Sequence, residues 1–286
     1  MNYSEMLLES ARKTGSIVCM GADPVLEKIP VKAKKTESKI SKFYIEIIDA
    51  AIGGNAVPAA VKPNYAFYAQ YGWEGLRALK KVCEHVKEKG IPLILDAKRG
   101  DIGKTNAAYA KEVFEFWGAD CVTLSPFLGS DSVSPFMQWC EQKGKGMYLL
   151  NRTSNPGAAE IQNLICNGKE FYSIISEKIV EWGKNAHGNA GAVVGATSIA
   201  EFEKIVSFFV KSGSAVPLLI PGVGAQGGSA AEVVGAMKKA GYDLKLARIN
   251  SSSEINYAYE KQGTDDFAGA AVKAIRELNR QIGPVE

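Results

Sequence analysis

Residues 91–101, IPLILDAKRGD, combine a short apolar run with four charged residues that follow it directly. A continuous apolar run of this length is typical of a parallel strand that is buried on both faces. Asp96 and Lys98 are two residues apart, so both side chains point to the same side of that strand. Asp101 follows where the chain turns toward the next helix. Reactive groups are therefore expected at the carboxyl end of a buried strand.

The same pattern, an apolar run with polar residues after it, recurs along the chain and indicates the fold class. Seven further apolar runs are each followed by a polar or glycine-rich turn: SIVCMGAD (16–23), PAAVKPN (58–64), DCVTLSPF (120–127), GMYLLNRTS (146–154), AGAVVGAT (190–197), VPLLIPGVGAQ (216–226) and LKLARINSS (244–252). Segments between them, such as 38–52 and 199–212, carry apolar residues at helical spacing. Alternating strands and helices predict parallel βαβ units. Because a (β/α)8 TIM barrel needs roughly 250 residues, we predict one such α/β domain over residues 1–286.

Polar residues collect at the carboxyl ends of the predicted strands, which is the rim where barrel enzymes place their active sites. They are Asp23, Lys62, Asp96, Lys98, Asp101, Ser125, Asn151, Arg152 and Gln226. Lys62 ends the strand before that of Asp96, so two lysines and two aspartates are expected to alternate in one site. A solvated loop with surface ion pairs also fits D-x-K-x-x-D. Its place directly after a buried run favours an active site.

Two glycine-containing motifs need separate interpretation. GVGAQG, residues 222–227, fits G-x-G-x-x-G, but it follows the seventh predicted strand, whereas a dinucleotide fingerprint follows the first. We interpret it as a phosphate-binding loop, because barrels often bind phosphate after strands seven and eight. A tight structural turn is the alternative. GDIGKT, residues 100–105, is not a P-loop, because Lys98 occupies the position of the required first glycine.

Composition excludes several classes of protein. A net charge of +3 gives no case for nucleic-acid binding. The two histidines, His85 and His187, have no second ligand at a metal-binding spacing, so we predict no metal site. Five cysteines without a C-x-x-C pair indicate reduced thiols and a cytoplasmic location. No apolar run approaches the roughly 20 residues that cross a membrane, and the first residues resemble an amphipathic helix rather than a signal peptide.

Six motifs together resemble the orotidine 5'-phosphate decarboxylase family, in its longer-chain branch commoner in prokaryotes. They occur in the expected order over nearly the whole chain: GADP (21–24), VKPNYAFY (61–68), LDAKRGDIGKT (95–105), SPF (125–127), NRTSNPGA (151–158) and PGVGAQGG (221–228). DAKRGDI together with KPN and PGVGAQGG is a specific signature. The resemblance implies a barrel enzyme that decarboxylates orotidine 5'-monophosphate (OMP) to UMP, the last step of de novo UMP synthesis, with no metal or organic cofactor.

The resemblance also implies roles for individual residues. Lys62, Asp96, Lys98 and Asp101 match a catalytic Lys-Asp-Lys-Asp tetrad, in which Lys98 stabilises a C6 carbanion and then protonates it. The implied or candidate substrate-binding residues are Asp23 for the ribose, Ser125 for the pyrimidine edge, Gln226, Gly224 and Gly227 for the phosphate, and Thr105 and Asn151. In the family, the last Asp and the Thr reach the neighbouring subunit's site. This implies an obligate homodimer with shared active sites.

One position departs from the family's pattern. After the last strand the family usually presents an arginine to the phosphate, in a stretch like N-x-S-R-G. This chain reads INSSSEI, with Ser253 at that place and Glu254 after it. We expect Arg248, Arg152 or the backbone N–H groups of residues 251–253 to replace the missing charge, and we include Arg248 among the substrate-binding residues.

Two other functions stay open. Sugar-phosphate decarboxylases and hexulose-phosphate synthases that use Mg²⁺ share the D-x-K-x-x-D barrel. The KPN and SPF motifs and the long segment after the fifth strand favour a pyrimidine substrate instead. A phosphate-binding barrel without catalysis would fit the serine at position 253, but the intact tetrad argues against it.

Overall fold

A closed ring of parallel strands forms the centre of the computed structural model, which describes residues 1–223 and 228–285. Within that part, eight strands form the ring in the order β2-β1-β10-β9-β8-β5-β4-β3. Bridges between Val61 and Leu93 and between Asn64 and Asp96 join its two ends. The strands, including a separate hairpin β6–β7, are β1 Val18–Ala22, β2 Ala60–Pro63, β3 Ile94–Arg99, β4 Cys121–Leu124, β5 Gly146–Arg152, β6 Ile165–Cys166, β7 Lys169–Glu170, β8 Ala190–Val194, β9 Leu218–Ile220 and β10 Ala247–Ser251. The predicted TIM barrel is confirmed.

Helices surround the ring and bury one face each against it. In α2, the buried residues Ile40, Phe43, Tyr44, Ile47 and Ile48 follow the three- and four-residue spacing of one helix face. The helices are α1 Tyr3–Thr14, α2 Thr36–Gly53, α3 Tyr65–Ala69, α4 Gly72–Glu88, α5 Gly103–Lys111, α6 Ser130–Lys143, α7 Ala158–Gln162, α8 Phe171–Asn185, α9 Ile199–Lys211, α10 Ala230–Ala240, α11 Ser253–Asn256, α12 Ala258–Gln262 and α13 Phe267–Ile282.

The amino-terminal helix α1 closes one end of the barrel. Tyr3 and Leu7 are fully buried and belong to the cluster of side chains inside the ring, together with Tyr148. Gly146 is needed for this packing, because a Cβ atom there would lie only 2.2 Å from the ring of Tyr3. The opposite end, where the strands terminate, is left for the functional site.

The segment after β5 has secondary structure of its own. It contains α7 and the antiparallel hairpin formed by β6 and β7. Gln162, the last residue of α7, accepts the Thr153 N–H on Oε1 at 2.8 Å. Its Nε2 donates to the Thr153 hydroxyl, also at 2.8 Å. This pair of hydrogen bonds fixes the segment against the barrel rim.

The cysteines and the helix lengths bear on two predictions from the sequence, which are reduced thiols and the lack of a membrane-spanning segment. All five cysteines lie in the described part, where each is a free thiol and four are buried. None of the helices in residues 1–223 and 228–285 is both long enough and apolar enough to cross a membrane.

Candidate active site

A cavity of about 510 Å³ opens at the carboxyl ends of the barrel strands. This volume lies in the range of pockets that bind small molecules. Seven of the eight ring strands contribute to its described lining, and β1 contributes through Asp23, which directly follows it. The residues are Asp23, Lys62, Asp96, Lys98, Thr123, Leu150, Val193, Leu219 and Asn250. Thr153, Ser154, Asn155 and Gln162 form the side that belongs to the segment after β5. The structure therefore has a cavity at the strand ends, where the sequence predicts the functional site.

Asp96 is the centre of a charged network on the cavity wall. Its Oδ2 lies 2.9 Å from the ammonium of Lys62, and its Oδ1 lies 2.7 Å from the ammonium of Lys98. Lys62 and Asp96 are only 5% and 8% exposed, whereas the side chain of Lys98 is 50% exposed. One carboxylate thus holds two cations, and Lys98 is much the more exposed of the two.

The network keeps both buried groups ionised. Burial alone would raise the pKa of Asp96, but the charges of Lys62 and Lys98 and their hydrogen bonds lower it well below its ordinary value. Burial likewise opposes the charged form of Lys62, yet the carboxylates of Asp96 and Asp23 raise its pKa above the usual range. The pair therefore carries one negative and one positive charge at neutral pH.

The backbone around Lys98 is irregular. Its φ of 43° lies in the left-handed region, which is uncommon for a residue with a side chain. The pairing of β3 with β4 also shifts register between Leu95 and Arg99. Irregular strand pairing of this kind re-aims side chains and is frequent beside active sites. Here it coincides with the residue to which the family resemblance gives the role of proton donor.

The structure brings four of the predicted residues together, namely Asp23, Lys62, Asp96 and Lys98. Asp101 and Thr105 are not among the described residues that line the cavity of their own chain. Asp101 follows β3, and its Oδ1 accepts the N–H of Ile102 at 2.8 Å. Thr105 is exposed on α5. Gln226, Gly224 and Gly227 lie outside the described residues.

Asn151 corrects the sequence-based expectation, because it does not lie among the described cavity residues. Asn151 points outward, where its Nδ2 donates to the carbonyl of Tyr172 and the hydroxyl of Ser176 in α8. Side chains alternate along a strand, so Leu150 takes the inward position instead. Ser125 follows β4, and its backbone N–H donates to the carbonyl of Arg99 at 2.8 Å. Its contact with the pyrimidine edge stays a prediction.

Ser154 and Thr123 are cavity residues that the sequence analysis missed. Ser154 stands two residues beyond the end of β5, within the NRTSNPGA motif, and so occupies the rim expected for a functional group. Thr123 is the one hydroxyl residue of the apolar strand sequence CVTL. A polar residue inside a buried strand is a usable signal, because a buried polar group needs a partner.

Arg248 does not lie at the phosphate end of the barrel, so that expectation is wrong. It is the second residue of β10 and therefore lies near the strand's amino end. Its guanidinium is fully buried and donates to the carbonyls of Leu7 and Ala247, each at 2.7 Å. Arg152, the second candidate, lies with Nε 2.8 Å from the carboxylate of Glu201. Backbone N–H groups of residues 251–253, where α11 begins, remain as the third alternative.

Replacing Arg248 with methionine is expected to lower the free energy of unfolding by about 2–4 kcal/mol, because buried carbonyl groups lose their donors. Affinity for UMP, the product that the family resemblance implies, should stay within about twofold of the wild type, since the two ends of the barrel are far apart and independent. Chemical denaturation and a UMP titration measure the two effects. A folded variant with clearly weaker UMP binding would restore Arg248 as a phosphate ligand.

The family assignment follows from comparison with known proteins. A sequence model described as "Orotidine 5'-phosphate decarboxylase / HUMPS family" matches residues 18–263. The chain belongs to this family. Among its relatives in the family, an orotidine 5'-phosphate decarboxylase of Variovorax paradoxus is 42% identical over 283 residues, which cover 96% of each chain. One of Delftia acidovorans is 40% identical and covers 99% of this chain and 98% of its own.

A solved structure of the same family has the same architecture. The OMP decarboxylase of Leishmania donovani superposes with a TM-score of 0.77 at 31% sequence identity, and 99% of each chain is covered. The resemblance that the six motifs predict is thereby confirmed over almost the whole length. Within residues 1–223 and 228–285, no three His, Cys, Asp or Glu side chains are grouped so that they could hold a metal ion.

Proposed function

We propose that this protein decarboxylates OMP to UMP in pyrimidine biosynthesis, using its own side chains and no metal or organic cofactor. The observation that carries the proposal is the Lys62–Asp96–Lys98 network on the wall of the barrel cavity, in a chain of the decarboxylase family. The charges sit where the family motif D-x-K-x-x-D places them. We further propose that residues 1–286 act as one domain in the cytoplasm, without binding nucleic acid or membranes.

Lys98 is the proton donor in this proposal. The bond between C6 and the carboxylate carbon breaks, CO2 leaves, and the electron pair stays on C6. The ammonium of Lys98 stabilises that negative charge and then transfers a proton to C6, and the resulting amine is reprotonated from solvent. Asp96 holds this ammonium at 2.7 Å and is itself held by Lys62 at 2.9 Å. The donor is thus oriented before the substrate arrives.

Other cavity residues offer contacts to the rest of a nucleotide. Oδ1 of Asp23 is buried without a partner among the described groups, and so is Oδ1 of Asn250. Buried acceptors of this kind are satisfied by hydroxyl donors such as those of a ribose. Ser154 and Asn155 also line the cavity, and a hydroxyl and an amide suit the polar edge of a pyrimidine. The phosphate contacts are assigned to Gln226, Gly224 and Gly227.

We propose that the enzyme is a homodimer in which Asp101 and Thr105 complete the partner's site. Both residues lie outside the described lining of their own cavity, and three exposed apolar side chains follow the neighbouring strands β3 and β4. Ile102 follows β3, and Phe127 and Leu128 follow the neighbouring β4. Exposed apolar groups that cluster in this way are typical of protein interfaces. An isologous contact over this face brings the two copies of residues 101–105 toward each other's cavities.

Shared sites predict that two inactive variants restore activity when they are mixed. In a hybrid of Lys98→Ala and Asp101→Ala subunits, one of the two sites contains neither substitution. Statistical subunit exchange should then recover about a quarter of the wild-type activity. The decarboxylation rate is measured before and after the variants are unfolded and refolded together, with each variant refolded alone as the control. No recovery in mixtures that do form hybrids would show that each site is built from one chain.

The activity itself is tested by ultraviolet absorbance of OMP in the presence of EDTA. Loss of the orotate chromophore supports cofactor-free decarboxylation. Turnover of OMP that stops with EDTA would point to a required metal ion. Turnover of Mg²⁺-dependent sugar phosphates instead of OMP would favour the related synthases. Nucleotide binding with no turnover of either substrate class would indicate a binding protein.

A further inference from the structure

Thr123 contacts both the backbone of Lys98, the proposed proton donor, and the carboxylate that holds the Lys98 ammonium. The residue lies in β4, is 1% exposed and borders the cavity. Its Oγ1 accepts the backbone N–H of Lys98 at 3.0 Å. The same oxygen lies 2.8 Å from Oδ1 of Asp96, which is the carboxylate oxygen that binds the Lys98 ammonium.

The direction of these hydrogen bonds is fixed by chemistry. An amide N–H can only donate, and an ionised carboxylate can only accept. The hydroxyl of Thr123 must therefore accept from Lys98 and give its proton to Asp96. The result is a closed loop that runs from the Lys98 N–H through Thr123 to Asp96, and back to the Lys98 side chain.

We propose that Thr123 is a positioning residue that sets both the backbone and the ammonium of Lys98 for proton transfer to C6. The inference rests on the proposed decarboxylase function. It assigns to the hydroxyl of Thr123 a role in the chemical step, in addition to any part that its methyl group plays in packing.

Two features of Lys98 make such support necessary. Its left-handed φ of 43° costs free energy that the surroundings must offset, and its N–H donates to the threonine hydroxyl at 3.0 Å. Its side chain is half exposed and has four rotatable bonds, so its ammonium is held chiefly by Asp96. Thr123 holds Oδ1 of Asp96, while Lys62 holds Oδ2 of the same carboxylate.

Removing the hydroxyl should loosen both contacts at once. In a Thr123→Val variant the size and branching of the side chain are kept, while the Lys98 N–H loses its acceptor and Asp96 loses a donor. A displacement of the donor by about 1 Å is enough to slow a reaction a hundredfold. Lys98 contributes less to nucleotide binding in the ground state than to the transition state, so the affinity for the nucleotide should change little.

The test compares Thr123→Val, Thr123→Ser and Thr123→Ala with the wild type. We expect Thr123→Val to lower kcat roughly 10- to 100-fold, with the dissociation constant of UMP within about threefold. Thr123→Ser keeps the hydroxyl and should recover kcat to within about threefold. Thr14→Val removes a threonine hydroxyl that binds the Ser10 carbonyl in α1, and it controls for the same chemical change far from the cavity.

A second readout follows Lys98 without decarboxylation. By microscopic reversibility, the same amine exchanges the C6 hydrogen of UMP in D2O, and NMR measures the rate. Thr123→Val should slow this exchange about as much as it slows kcat, and Thr123→Ser should restore it. A role in packing alone would affect stability or UMP affinity and leave the exchange per bound nucleotide unchanged.

The inference is overturned if Thr123→Val and the wild type exchange and decarboxylate at equal rates, or if Thr123→Ser loses as much as Thr123→Val. Should Thr123→Val fail to fold, the effect of the hydroxyl is measured by the ratio of the kcat of Thr123→Ser to the kcat of Thr123→Ala. A ratio near one rejects the inference. Failure of the proposed function is separate, because it would appear as an inactive wild type.

Discussion

Lys98→Ala is expected to lower kcat by at least about 10⁴-fold, because it removes both a general acid and the positive charge beside the reacting carbon. The UMP dissociation constant should change far less, since the lost contact is strongest in the transition state. The decrease in OMP absorbance under single-turnover conditions measures the chemical step directly.

Lys184→Ala is the matched control for this experiment. Lys184 is exposed in the last turn of α8, so the same substitution there should leave the rate unchanged. A Lys98→Ala protein that retained more than about a hundredth of the wild-type rate would be inconsistent with a single proton donor of this strength.

Asp96→Ala is expected to affect both activity and stability. It leaves Lys62 buried without the carboxylate at 2.9 Å, and an unpaired charge in such a place costs about 3–5 kcal/mol. It also releases the ammonium of Lys98, so kcat should fall at least about 10³-fold. Chemical denaturation gives the free energy of unfolding, and the absorbance assay gives the rate.

A double variant separates the two effects of Asp96. Lys62→Met combined with Asp96→Leu removes the buried cation together with its partner and replaces both with apolar groups. Such replacements are often neutral or stabilising, so the double variant should regain much of the lost stability and none of the activity. If the single and double variants were equally unstable, the unpaired Lys62 would not be the cause.

The stability deficit of Asp96→Ala should also depend on pH in a defined direction. The folded protein lowers the pKa of Asp96 below its ordinary value of 3.8. A lowered carboxyl pKa contributes stability above the ordinary value, and this contribution disappears as the pH falls through the folded-state value. The part of the deficit that comes from Asp96 should therefore be fully present above about pH 4 and should shrink as the pH falls further. A deficit that grows in acid would contradict the lowered pKa.

The sequence was sufficient for the barrel and for the charged centre of the site. Continuous apolar runs are a direct consequence of strands buried on both faces, and Lys62, Asp96 and Lys98 follow such runs immediately. Their proximity then follows from the parallel order of the strands. The roles of Asp101 and Thr105 came from the family resemblance, and a dimer proposal still depends on them.

The errors concern the direction of single side chains. Asn151 and Leu150 are neighbours in β5, and only the register of that strand decides which of them faces the cavity. The prediction for Arg248 is wrong about the end of the barrel at which it lies. The apolar pattern does not show that β10 begins at Ala247, which makes Arg248 the second residue of the strand. Thr123 was overlooked because a single hydroxyl hardly changes the apolar character of its strand.

The contact between Arg248 and the Leu7 carbonyl has a consequence for biosynthesis. The two residues are 241 positions apart, and β10 pairs with both β1 and β9. A nascent chain therefore cannot complete the barrel until its last strand has left the ribosome. Until then β1 and β9 expose unpaired edges, which are prone to association with other chains. Truncated products that end before residue 247 should consequently depend on chaperones or aggregate.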